Sequence, residues 1–213
     1  MIDTTKVSVI AVIAVIAISV LCLFCLFVSG VSSSRRLHES IRTGDYTTFS
    51  RLLSDSNINR PRRLSVSVTL NLIHDACSAT RVEFVKLMIE KHADIHAQDS
   101  SGKTCLFYAA GGDDVTSSIE ICRMLVSHDS SIIQDREPVN GDSVLHYSVR
   151  IGLNARVVES LIQLGADARS VNSNGETPLD IYIDRGRKNG EVESVLQRYI
   201  DTAAFNVPLP SER

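Results

Sequence analysis

The sequence has few cysteines, and they fall in no ligand pattern. Five are present, at Cys22, Cys25, Cys77, Cys105 and Cys122. Cys22 and Cys25 have no second pair to complete a four-ligand set, and no His–Cys spacing fits a zinc template. That excludes a structural zinc centre and a disulfide scaffold. An odd number of scattered thiols reads as reduced, which points to a reducing compartment for the later part of the chain. A large charge excess is missing too: 22 Lys and Arg stand against 25 Asp and Glu, a net charge of -3. Without a broad basic field, nucleic acid is not an expected partner. Catalytic signatures are also absent. There is no GxSxG, no phosphate-binding loop and no paired His–Glu metal motif. The acidic "GGDD" at Gly111–Asp114 supplies too few ligands at fixed spacing for calcium. The expectation is a chain that is not an enzyme, with no cofactor, no metal and no small-molecule substrate.

Apolar residues, by contrast, are concentrated at one end. "VIAVIAVIAISVLCLFCLFVSG" at Val9–Gly30 carries no charge and no proline. The 22 residues Val7–Val28 would span about 33 Å as a helix, against a hydrocarbon core roughly 30 Å thick. A signal-peptide core is shorter, about 7–15 residues. No face of the run is polar, so a buried soluble helix is not expected. The reading is a transmembrane signal anchor over 7–29, after a short tail over 1–6 and before a polar, basic flank over 30–36. Only Lys6 precedes the run, whereas Arg35, Arg36, Arg42 and Arg51 follow it. The positive-inside rule therefore puts the later chain in the cytoplasm. The alternative is export: cleavage after about Gly30, at the small-residue "VSG", would release a secreted or periplasmic module.

Beyond the anchor the sequence repeats. Leu37, Ile73, Leu106, Leu145 and Leu179 head five similar segments, with spacings of 36, 33, 39 and 34. The last four segments continue into a second apolar pattern at helical spacing: Val82, Val85, Met88 and Ile89; Ile121, Met124 and Leu125; Val158, Leu161 and Ile162; Val192, Val195 and Leu196. Thr104 and Thr177 suit helix N-caps, with Pro178 at the permitted first helical position. Small residues at Ala76, Cys77, Ala109 and Ala110 let paired helices approach closely. Gly165 suits a left-handed helix end. His92 and His128 stand where that glycine would be, so those turns should be strained or differently shaped.

"NGETPLD" at Asn174–Asp180, "SGKTCLFYAA" at Ser101–Ala110, "LGADA" at Leu164–Ala168 and "KHADIHAQD" at Lys91–Asp99 resemble the ankyrin repeat. The resemblance covers residues 37–201, with repeats near 37–59, 70–99, 102–135, 141–172 and 175–200 and a flexible tail over 202–213. It implies an all-α solenoid of about five helix-turn-helix repeats, stacked because one repeat cannot bury its own core, preceded by the transmembrane helix. Departures are expected at three places. "GGDDVTSS" lengthens a helix–helix link, "SIIQDREPVNG" lengthens the following finger, and "NRPRRLSVSV" at Asn59–Val68 replaces the first hairpin. His38, His74 and His146 share one repeat position, where they would tie neighbouring turns by hydrogen bonds in preference to binding metal.

The resemblance further implies a membrane-tethered scaffold that binds a protein partner on a concave face. The finger-tip residues would be Ser100, Ser101, Lys103, Val139, Asn140, Asp142, Ser173, Asn174 and Glu176. The inner-helix residues would be Arg42, Thr43, Ser78, Ala79, Gly111, Gly112, Arg150, Ile151, Asp184 and Arg185. Reversing the charges of Arg150 and Asp142 is expected to weaken partner capture while leaving helical content unchanged. The basic run "RPRRLS" could meet an anionic lipid or phosphate through Arg60, Arg62 and Arg63, or form a solvated loop.

Overall fold

The computed structural model describes residues 34–63, 69–186 and 190–205. The apolar run Val7–Val28, expected to be an anchor, lies outside them with Cys22 and Cys25, as does the tail from residue 206. Among the described residues no helix is long and apolar enough to cross a membrane.

Among the described residues ten α-helices form five successive pairs. They are α1 (residues 34–43) with α2 (Tyr46–Leu52), α3 (Leu72–Ser78) with α4 (Val82–Glu90), α5 (Cys105–Ala110) with α6 (Val115–His128), α7 (Val144–Ile151) with α8 (Ala155–Gln163), and α9 (Pro178–Asp184) with α10 (Glu191–Phe205). The first helices of the later pairs stack as α3, α5, α7 and α9, and the second as α2, α4, α6, α8 and α10. Most of these helices are shorter than a stable isolated helix, so packing holds them. The four leading apolar residues Leu37, Ile73, Leu106 and Leu145 are no more than 2% exposed. Leu179, in the last pair, is only half-buried, because among the described residues no further pair stacks on it. Ala76, Cys77, Ala109 and Ala110 are wholly buried and form the close contact expected of small residues. Cys77, Cys105 and Cys122 are free and buried, and burial pushes the thiols of Cys77 and Cys122 upward, the latter to about 12. These thiols are packing groups, not nucleophiles.

Local chemistry starts each pair. Asp45, Asp114, Asn154, Ser143 and Thr177 cap α2, α6, α8, α7 and α9 through their side chains. Pro178 occupies the first turn of α9. Thr104 precedes α5 as expected but forms no side-chain cap bond. The return bond from three residues on is missing there too. His74, His146 and Asp180 return a bond to the backbone N–H of Asn71, Ser143 and Thr177, while Phe107 has no polar atom to do so and instead meets the ring of Tyr147 edge-on at 5.6 Å.

Four boundaries differ from the sequence reading. α1 already covers residues 34–36, within the expected flank. "GGDDVTSS" is largely absorbed into α6: Asp114 caps that helix, and only residues 111–114 remain as the link. "NRPRRLSVSV" does not replace a hairpin; it builds one, with Arg62–Arg63 pairing antiparallel to Thr69–Leu70. Among the described residues this is the one two-stranded ribbon beside the helices. α10 continues through Phe205, past the expected tail boundary. The turns at His92 and His128 depart from each other. His92 takes the left-handed backbone (φ +60°), as Gly165 does at φ +105°. After His128 the chain avoids that conformation: Asp129 is extended, and a 3-10 turn over Ser130–Gln134 follows.

Candidate functional site

Between the pairs the chain projects as fingers, and one side-chain device shapes three of them. In the finger after α4, Asp99 Oδ1 accepts the amides of Ser101 and Lys103, each at 2.8 Å. In the finger after α8, Asn172 Oδ1 accepts those of Asn174 and Glu176, each at 3.0 Å. The intervening finger is one residue longer, and Glu137 replaces the shorter acid. Its extra methylene reaches the amides of Val139 and Asn140 at 2.8 and 2.7 Å and that of Asp142 at 3.4 Å. The long finger is therefore as well braced as its neighbours. Adjacent fingers are also sewn together, Ser173 N–H donating to the Asn140 carbonyl at 2.8 Å. The signal for this brace was the Asp-x-x-Gly and Asn-x-x-Gly spacing of Asp99–Gly102 and Asn172–Gly175, a turn-forming pattern.

The structure gives the expected contact residues different roles. Asp142 is 2% exposed and lies inside the stack. Its carboxylate takes both donors of the Arg150 fork at 2.7 and 3.1 Å and the Asn172 amide at 2.9 Å. Burial pushes the Asp142 carboxyl upward, but Arg150 and Asn172 more than offset it and hold it below the usual range. Asp142 and Arg150 therefore position the fingers, and reversing their charges would break the stack before it tested a contact. Glu176 is half-buried, bonded to Asn172 and Asn174. Ser101 bonds Asp99, and Asn140 supplies its carbonyl to the next finger. Ser100, Ser173 and Asn174 are exposed at the tips, with Val139 at 75%. On the inner helices Arg42 and Thr43 are exposed but turn back to Glu39. Ser78, Gly111, Ile151, Asp184 and Arg185 are exposed, while Ala79 and Gly112 are half-buried. Arg60 is exposed in the ribbon arm, whose first strand is Arg62–Arg63.

Two residues absent from the sequence reading join these parts. Tyr108 and Tyr147 occupy the same position on α5 and α7 and are half-buried between helix and finger. Tyr108 donates to Asp99 at 2.6 Å, and Lys103 Nζ lies 5.1 Å from the Tyr147 ring centroid. Burial first, then Asp99, push the Tyr108 phenol well up, so it stays a donor. Burial also tends to raise the Asp99 carboxyl, yet its bonds from Tyr108, Lys103 and Ser101 keep it low. The repeated aromatic after Phe107 and after His146 was the available signal. Together these residues form a rigid polar frame that leaves Val139 and Ile151 as apolar points in solvent.

The histidines at the shared repeat position are structural ties. His74 and His146 each use one ring nitrogen on a cap and the other, at 3.0 Å, on the carbonyl of Ala97 or Glu176 in the next finger. His38 bonds Asp75 in the following pair. Among the described residues no cluster of three or more His, Cys, Asp or Glu could hold a metal ion. Burial depresses both His74 and His146 below the ordinary imidazole value. The unfolded chain therefore takes up protons near pH 6.5 that the folded chain refuses, so these two sites lose stability as pH falls below about 6.5. Urea unfolding at about pH 7.5 and about pH 5 should show a lower midpoint in acid. A variant with both histidines changed to asparagine should lose much of that difference; an undiminished one would refute the assignment.

Helix pairs stacked in register, joined by braced fingers, define a helical-repeat solenoid. A family model described as ankyrin repeats (3 copies) matches residues 37–136. The α7–α8 and α9–α10 pairs, beyond that match, continue the same caps and stacking. Ankyrin repeats are protein-interaction modules. Among curated proteins none matches the chain.

Proposed function

We propose that this chain is a non-catalytic interaction module that captures a protein partner on its finger and inner-helix face while Val7–Val28 tethers it to a bilayer. The observation that carries the reading is the contrast within that face. Its polar groups are largely spent on bracing, whereas Val139 and Ile151 are 75% and 44% exposed, and Tyr108, Tyr147 and Lys103 are half-buried. Apolar and aromatic anchors on a preorganised frame suit protein recognition, because little ordering entropy is lost on docking. Ser100, Ser173, Asn174, Asp184 and Arg185 would form the polar rim. The tether is supported by the length and charge asymmetry of the apolar run, and it places the repeats on the cytoplasmic side. Arg60, Arg62 and Arg63 would then lie near enough to meet anionic headgroups.

The test uses the full-length chain in its native membranes. A photocrosslinker at position 151 should yield a protein adduct, and one at Gln163, on an outer helix, should not. Ile151→Asp should weaken capture of the adducted partner about ten-fold or more, the scale of a modest hot spot, with an unchanged melting curve. Adducts at both positions, or unaltered capture by Ile151→Asp, would remove this face. Alkaline extraction with mass measurement of the N-terminus tests the tether. A soluble chain beginning near Val31 would favour the exported alternative.

A further inference from the structure

His96 lies at the base of the second finger, just after the left-handed turn at His92. Its backbone N–H is held by Asp94 Oδ1 at 3.0 Å. Its ring faces two carboxylates from the next repeat: Nε2 is 3.2 Å from Asp129 Oδ2, and Nδ1 is 3.3 Å from Asp135 Oδ2. Asp129 caps the end of α6, its Oδ1 accepting the Ser131 amide at 2.9 Å. Asp135 closes the 3-10 turn, its N–H donating to the Ile132 carbonyl at 3.2 Å. The Asp129 carboxylate is thus held at the start of the 3-10 turn and Asp135 sits at its end, and the His96 ring bridges them.

A neutral imidazole has one N–H, so one nitrogen lone pair would face a carboxylate with no proton between them. Only the imidazolium can donate on both sides. We propose that His96 is a pH-sensitive clamp: protonated, it fastens the second finger to the turn that leads into the third, and deprotonation releases that fastening. The charged side chains in contact with the ring, among the described residues, are Asp129 and Asp135; Asp94, on its own turn, takes only the backbone N–H. The ring side chain is 39% exposed, so bulk solvent can exchange its proton.

The titration directions agree with the geometry. Burial opposes the charge, but the hydrogen bonds and field of Asp129 and Asp135 carry His96 above its ordinary value. Asp129 is held at about 2, by the Ser131 bonds first and His96 next, while burial pushes Asp135 upward. Because the folded value of His96 is raised, the clamp is complete below the unfolded value near pH 6.5 and is lost as pH rises through the folded one. This is opposite to His74 and His146. The clamped loop ends in the finger carrying Ser100, Ser101 and Lys103. Any effect on docking rests on the function proposed above, but the clamp itself does not.

The test is an NMR titration of the histidine rings in the full-length chain, with His96 assigned by its loss in His96→Gln. Amide hydrogen exchange over residues 96–104 and 129–135, corrected for intrinsic pH dependence, provides the second readout. The expected midpoint for His96 lies above the free-imidazole value of about 6.5 and falls in Asp129→Asn/Asp135→Asn. Exchange in both segments should rise roughly five-fold across that midpoint, the scale of an exposed ion pair. His96→Gln should fold and show no such step. A wild-type midpoint at or below the free value, or exchange without a step, would overturn the proposal.

Discussion

Replacing Arg150 with alanine is expected to destabilise the stack by about 3 kcal/mol or more. The substitution removes both arms of the fork that holds Asp142 at 2.7 and 3.1 Å. In the parent this carboxylate is 2% exposed, and without Arg150 the Asn172 amide is its remaining side-chain donor. An under-compensated buried charge is among the most costly single defects in a protein. Arg150→Lys should recover only part of the loss, because an ammonium cannot meet both carboxylate oxygens in one plane. The pH response has a definite sign. In the parent, Asp142 sits below its ordinary value and contributes stability above the unfolded carboxylate range, lost as pH falls through the folded value. Without Arg150, burial dominates and pushes it up, so the penalty of the variant should shrink on acidification. Urea titrations across pH measure both effects. A loss under about 1 kcal/mol would show that the pair behaves as an ordinary surface bridge.

The second large effect is expected at Gly102. Its backbone is left-handed at φ +75°, and a Cβ there would stand 2.1 and 2.4 Å from Cδ and Cγ of Pro138 in the next finger. Proline is a rigid ring and cannot swing aside, so the fingers must separate. Gly175 occupies the matching place in the fourth finger at φ +77°, yet nothing lies within 4 Å of its would-be Cβ. Gly175→Ala should therefore cost about 1 kcal/mol for backbone strain alone. Gly102→Ala should cost about 2–4 kcal/mol, strain and overpacking together. Adding Pro138→Ala should recover the overpacking part, and the double-mutant cycle measures that coupling. Equal losses at Gly102 and Gly175 would contradict the finger-on-finger contact.

Much of the fold was legible because the repeat writes the same physics several times. Leading apolar residues, caps and small contact residues recur at fixed places, and a near-33 period is hard to produce by chance. The binding face was less legible. Asp142 and Arg150 look like surface residues, since in sequence nothing marks that Asn172, from the next finger, will close over them. Tyr108 and Tyr147 were passed over because an aromatic on a short helix reads as core, and only the finger position leaves their edges half-exposed. The Glu137 brace was hidden for a related reason: the longer loop looked like an insertion, until the longer side chain proved to match it.

The sequence by itself determined the helical-repeat architecture, most cap positions and the departure of the turn after His128 from the glycine form. These follow from local backbone preference and from periodic burial, and both are written residue by residue. The tertiary structure alone decided which polar groups are spent inside the stack and which remain for a partner. That choice depends on pairs about one repeat apart, such as Asp142 with Asn172, Gly102 with Pro138, and His96 with Asp129 and Asp135. Their geometry exists only once neighbouring fingers have been brought together.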